Sequence, residues 1–133
     1  LYAVALTRLG GFNLPALMEL YQRAGSATAI YEHRNNIHDI LPDATQRLVE
    51  TLENWENVLS FAERELQYDE QNNIEVLCPN DENYPQRLRE CPDAPIVLYK
   101  QGNVNLNKHR TLNIIGTRNC TPYGRDLIRV FIR

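Results

Sequence analysis

The sequence predicts an α+β chain, with a helical unit over residues 1–70 and, over residues 74–133, the opening strands and helix of an α/β unit. Two observations carry this reading. Up to residue 70 apolar residues recur at helical spacing, whereas the short apolar runs at 74–78, 96–99 and 111–115 have the length and bounding turns of strands. Helices first and strands afterwards place the two unlike units in series.

Val4, Leu6 and Leu9 predict a first helix over residues 1–9, stopped by Gly10 and Gly11. Asn13 is the expected N-cap of a second helix, with Pro15 in its first turn, Leu14, Leu17, Met18 and Tyr21 on one face, and Gly25 at its end. The two helices and the turn Gly10-Gly11-Phe12-Asn13 form a helix-hairpin-helix-like pattern. DNA-binding hairpins of this kind usually read Gly-apolar-Gly; here Asn13 holds the second glycine position, where a left-handed backbone is tolerable. Its acidic surroundings favour a scaffold role over DNA contact.

Ser26 caps a short helix through Tyr31, ended by Asn35 and Asn36, and residues 37–41 are too few to assign. From Asp43, read as an N-cap, one long helix is expected to about Gln67. Leu48, Leu52, Trp55, Leu59, Ala62 and Leu66 make one seam, and Val49 and Val58 widen it beyond a coiled-coil stripe, so Trp55 is expected in the core rather than as a base-stacking platform. After the polar turn at 69–73 come a strand at 74–78, a short helix opening at Tyr84-Pro85 and carrying Leu88, a strand at 96–99 approached through Pro92 and Pro95, and a third strand at 111–115. That last strand is apolar on both faces and calls for neighbours on both sides, so the chain beyond residue 110 is expected to be marginal alone. The leading Leu1 and the unstopped apolar run from Leu127 to Arg133 suggest a fragment of a longer chain.

The composition excludes several classes. No apolar run approaches about 18 residues, so no membrane span is expected. Cys78, Cys91 and Cys120 lack metal or disulfide spacing and fit a reducing cytoplasm, and His33, His38 and His109 lack ligand spacing. The net charge of −3 divides unevenly. Residues 1–95 hold seven Lys and Arg against sixteen Asp and Glu, a balance of −9, while residues 96–133 hold seven against one, a balance of +6. A polyanion would meet the second segment, where Lys100, Lys108, Arg110, Arg118, Arg125, Arg129 and Arg133 lie; the plainer alternative is a solvated basic helix face.

Residues 111–126, TLNIIGTRNCTPYGRD, organise that segment. A strand stopping at Gly116, a turn through Thr117 and Arg118, and a helix entered at Pro122 make a junction that attracts phosphate, because first-turn amides lack helical partners and the helix dipole is positive there. Arg118 adds a planar fork of donors. No nucleophile-base pair, paired carboxylates or metal cluster accompanies it, so neither catalysis nor a cofactor is expected. A structural turn of an α/β fold is the alternative.

Taken in order, Tyr84-Pro85 with Leu88, then Pro95-Ile96-Val97-Leu98-Tyr99 with Gly102, then Ile114-Ile115-Gly116-Thr117-Arg118 with Tyr123-Gly124, the segment resembles the start of the DNA-processing protein A family, also called Smf. The preceding helices resemble that family's small sterile-alpha-motif-like (SAM-like) domain. The resemblance implies a bacterial cytoplasmic protein whose extended Rossmann-like domain binds single-stranded DNA, protects incoming DNA during natural transformation and helps load the recombinase RecA. It implies DNA phosphate contact by Gly116, Thr117 and Arg118 and a mainly structural Tyr123-Gly124; beside it, the basic residues Lys108, Arg110 and Arg125 near the turn are candidate peripheral contacts, and a homodimer through regions outside this sequence is a candidate assembly. Two other readings stay open: a Rossmann-like enzyme binding a nucleotide phosphate, though Gly-x-Gly-x-x-Gly and phosphate-loop patterns are missing, and a helical protein-interaction module.

Overall fold

The computed structural model describes residues 1–132; Arg133, one of the seven cations of the basic segment, lies outside them. The chain is α+β, with five helices preceding a two-stranded antiparallel sheet. Helices α1 (Tyr2–Arg8), α2 (Leu14–Ala24) and α3 (Ala27–Glu32) are followed by a 3-10 turn at Ile37–Asp39, then by α4 (Gln46–Leu52) and α5 (Glu56–Gln71). Two caps match the sequence: Asn13 and Ser26 accept from the amides of Ala16 and Ala29 at 2.9 and 3.1 Å.

Three expectations are corrected in this part. Gly11, at φ +92°, carries the left-handed backbone of the first turn, while Asn13 is extended at φ −89° and spends its side chain on the cap. The expected long helix is two helices, interrupted at Glu53, Asn54 and Trp55. The Asn54 side-chain Nδ2 donates to the Glu50 carbonyl at 3.0 Å, competing with the next helical bond, while the Asn54 backbone N–H turns to Thr51. An unbroken helix from residue 43 to 67 would run about 37 Å and overshoot the short helices it must cover; the break lets Leu52 and Trp55 both turn inward to almost complete burial. The cap of the first half is Thr45, whose hydroxyl accepts from the Leu48 amide, and Asp43 instead pairs with Arg23 at 2.9 Å.

The core is one continuous cluster. Val4, Leu6, Met18, Ile30, Ile37, Leu52, Trp55 and Ala62 form its helical part, and Ala94, Ile96 and Val97 join it from beyond the sheet's first strand. Trp55 is 1% exposed, with the stacked rings of Tyr2 and Tyr31 (centroids 4.2 Å apart) meeting it edge-on at 6.2 and 5.2 Å.

Asn73, at φ +54°, turns the chain from α5 into β1 (Ile74–Leu77), which pairs antiparallel with β2 (Leu98–Gln101). Glu75 faces Lys100 in this register, and their side chains meet at 2.7 Å. Lys100, with Asn83, holds the Glu75 carboxyl below its ordinary range. Between the strands lies α6 (Gln86–Arg89), introduced by Tyr84, whose fully buried hydroxyl donates to the Pro95 carbonyl at 2.6 Å. The expected third strand is not formed: residues 111–115 are irregular, with Leu112, Ile114 and Ile115 exposed. A segment apolar on both faces becomes a strand only between neighbours, and the two described strands pair only with each other. Residues 96 and 97 likewise precede the second strand, their side chains buried in the core.

One buried charge makes a prediction. Asp69, in the last turn of α5, is 4% exposed, and its Oδ2 has no partner among the described residues. Burial, with a smaller contribution from Glu65, raises its pKa, and a carboxylate also opposes the negative end of the helix dipole. A raised folded-state pKa makes the native state hold its proton longer than the unfolded chain. Its stabilising effect is therefore greatest in acid and is lost as pH climbs from the unfolded value through the folded one. Asp69→Asn is expected to raise the melting temperature at pH 7, with the gain shrinking towards pH 4. A gain that grew on acidification would contradict the assignment.

Candidate nucleic-acid interface

The chain leaving β2 is pinned against α6 by two side chains. Asn107 donates to the carbonyls of Glu82 and Tyr84 at 3.2 and 3.1 Å, and its Oδ1 accepts from the Gln86 amide at 2.8 Å. Arg87 reaches from α6 to the Thr111 hydroxyl at 2.9 Å and the His109 carbonyl at 3.2 Å. Between these anchors an open groove of about 590 Å³ runs along Arg87, Leu88, Asn107, Lys108, His109 and Thr111. Neither anchor stands out in the sequence. Arg87 fills an unspecified position between Tyr84-Pro85 and Leu88, and Asn107 is one of several asparagines in its loop, so their only signal is the need for some donor to bridge the two segments.

Beyond this groove the turn of Gly116, Thr117 and Arg118 lies exposed. Thr117 donates its hydroxyl to the Asn119 carbonyl at 3.0 Å, which tightens the turn, and a Cβ on Gly116 would meet nothing within 4 Å. The following α7 (Pro122–Phe131) starts at the expected residue. Its N-terminus is already partly satisfied, since Thr121 accepts from the Gly124 amide at 3.1 Å and Pro122 has no N–H. A ligand would therefore find the Tyr123 amide in the first helical turn, together with the amides of the preceding turn. Backbone donors here are fewer than a bare helix N-terminus provides, which leaves more of the task to Arg118.

The basic segment sorts itself by ion pairing. Lys100 is engaged by Glu75, and Arg129 lies 3.3 Å from Asp126. Lys108, Arg110, Arg118 and Arg125 are exposed and in no ion pair among the described residues. These four flank or belong to the turn in sequence, with Lys108 also lining the groove. On α7, Leu127, Val130 and Phe131 are exposed along one side while Arg125 and Arg129 occupy the other. Among the described residues no group of His, Cys, Asp and Glu is placed to hold a metal ion, and no helix is long and apolar enough to cross a membrane.

Comparison with known proteins finds matches to the later part of the chain. Residues 75–133 match the family model described as DNA recombination-mediator protein A. DNA processing protein DprA of Bacillus subtilis (strain 168) is 37% identical over 56 residues, which cover 41% of this chain and 19% of that protein. DNA processing protein DprA of Streptococcus pneumoniae (strain ATCC BAA-255 / R6) is 34% identical over 53 residues, 40% of this chain and 19% of that protein. The chain thus matches these curated relatives over about a fifth of their length. No solved structure matches it significantly. Residues 75–133, which run from β1 to the exposed helix α7 and hold the Tyr-Pro, Gly-Thr-Arg and Tyr-Gly motifs, are thus similar in sequence to the DNA recombination-mediator protein A family.

Proposed function

We propose that this chain is part of a recombination mediator that binds single-stranded DNA through the phosphate backbone, with Gly116, Thr117 and Arg118 as the central contact and Lys108, Arg110 and Arg125 at its periphery. The observation that supports it most is the sorting of cations: within the segment matched to the family, those four are exposed and unengaged by carboxylates among the described residues. In this reading residues 111–115 become a strand of a Rossmann-like sheet and α7 lays its apolar side on that sheet. Residues 1–70 form a SAM-like domain whose core continues into Ala94, Ile96 and Val97. The glycine at the strand end admits a phosphate to the backbone, the turn donates N–H groups, and Arg118 supplies the charge. No bond is made or broken, so the role is binding rather than catalysis. RecA, a second copy of the protein and incoming DNA in the cytoplasm are the partners that complete the reading.

Titrating a labelled oligothymidylate and, separately, a nucleoside monophosphate separates this function from its competitors. The oligonucleotide is expected to bind tightly and the mononucleotide weakly, because several phosphate contacts act together only on the polymer. Equal affinity for both would favour a nucleotide-binding enzyme, and binding of neither would favour a protein-interaction module.

A further inference from the structure

We infer that Arg87 and Asn107 are positioning residues for DNA binding: they fix residues 107–111 so that Lys108 and Arg110 meet the phosphate backbone from an ordered stretch of chain. The inference rests on the DNA-binding reading above and concerns two residues to which that reading gives no role.

Residues 103–120 contain neither helix nor strand. A segment this long without secondary structure of its own is usually either functional or disordered, so what orders it matters. Among the described residues no backbone-to-backbone hydrogen bond involves it. Its hydrogen bonds to the rest of the chain, among the described residues, come from two side chains: Asn107 within it and Arg87 outside it.

The anchored positions alternate with the cations. Asn107 is tied to the backbone of residues 82–86, while the His109 carbonyl and the Thr111 hydroxyl are both held by Arg87. Lys108 and Arg110 fall between them, so each has an anchored residue on either side while its own side chain is exposed and in no ion pair among the described residues. The anchorage continues into the core. Asn107 donates to the carbonyl of Tyr84, whose fully buried side chain is itself fixed by its hydroxyl on the Pro95 carbonyl at 2.6 Å.

A cation on a mobile loop has to be ordered as a polyanion binds, and the lost entropy opposes binding; an anchored backbone has met that cost during folding. The two anchors suit this task by their chemistry. The planar guanidinium of Arg87 directs donors to two points at once, where the point charge of a lysine would hold one. The side-chain amide of Asn107 both donates and accepts, and all three of its bonds go to backbone groups, which fixes the chain rather than a neighbouring side chain. The groove between the anchors is lined by Arg87, Lys108 and His109 and by no Asp or Glu, so it draws a phosphate chain towards Lys108.

The test titrates a labelled oligothymidylate, at two salt concentrations, into the full chain and five variants: Arg87→Ala, Asn107→Ala, the double variant Lys108→Ala with Arg110→Ala, that double variant with Arg87→Ala added, and Arg118→Ala. Arg87→Ala and Asn107→Ala are each expected to bind severalfold more weakly than the parent, with a salt dependence shallower by up to about 1.4, the counterions of two single-strand contacts. Asn107 carries no charge, so a shallower slope in its variant reports the cations it holds. Adding Arg87→Ala to the double variant is expected to change affinity by less than about twofold, because residues acting through the same contacts are not additive. Arg87 is exposed, so its variant is expected to melt with the parent. Parent-like affinity and slope in both Arg87→Ala and Asn107→Ala, or a full second loss when Arg87→Ala joins the double variant, would overturn the inference. So would parent-like binding by the double variant; a weakened Arg118→Ala would then show that the DNA-binding reading survives. An unaffected Arg118→Ala beside the expected losses would count against the central contact alone and leave the inference standing. A parent that did not bind the oligonucleotide would overturn both.

Discussion

Replacing Trp55 by alanine is expected to lower stability by about 3 to 5 kcal/mol, the usual range for removing a buried aromatic side chain. The cost is large because Trp55 is 1% exposed and is packed by Tyr2 from α1 and Tyr31 from α3. The cavity would therefore open where three parts of the helical core meet. Its indole Nε1 has no hydrogen-bond partner among the described residues. Trp55→Phe consequently loses volume and no hydrogen bond, and is expected to cost well under half as much. Urea unfolding of the parent and both variants checks the pair. An alanine variant as stable as the parent would show that Trp55 is not a core residue.

That role was legible because burial follows spacing: Leu52, Trp55 and Ala62 fall on one helical seam and are all buried. The interruption within the seam was not. Glu53 and Asn54 are ordinary helix residues, and the stop comes from a side chain competing for the Glu50 carbonyl and from the short helices limiting how far one axis can run. Capping was only half legible for a similar reason. Asp43 and Thr45 are both good N-cap residues, and the choice fell to Thr45 because Arg23, twenty positions earlier, takes Asp43. Tertiary partners of this sort leave no local mark.

The strand at 111–115 shows the opposite limit. Its apolar run has the length and composition of a strand, but pairing belongs to the sheet rather than to the segment, and Ile115 stands 94% exposed. For the candidate site, charge was readable and engagement was not. Lys100 and Lys108 look alike in the sequence, yet cross-strand register gives one to Glu75 and leaves the other exposed. Arg87 and Asn107, which pin the loop carrying Lys108, came only from the fold.

The second large effect concerns Arg118. Its side chain is exposed, in no ion pair among the described residues, and next to a turn whose Thr117 hydroxyl is already used internally. With Pro122 lacking an N–H and the Gly124 amide capped, Arg118 is the strongest donor the turn can offer a phosphate. Arg118→Ala is expected to weaken oligonucleotide binding about tenfold or more, the scale of a lost charge-assisted hydrogen bond. The loss should be the same for every base composition, since a backbone contact carries no sequence information. Arg118→Lys should recover only part, a point charge replacing a two-pronged donor. Because the side chain is exposed, neither substitution should move the melting temperature.

Oligonucleotide affinity of the parent and Arg118→Ala at two salt concentrations tests the central claim most directly. The account predicts lower affinity in the variant and a salt dependence shallower by about 0.7, one single-strand phosphate contact's worth of released counterion. Equal affinity and equal salt dependence, in a variant that melts with the parent, would contradict it.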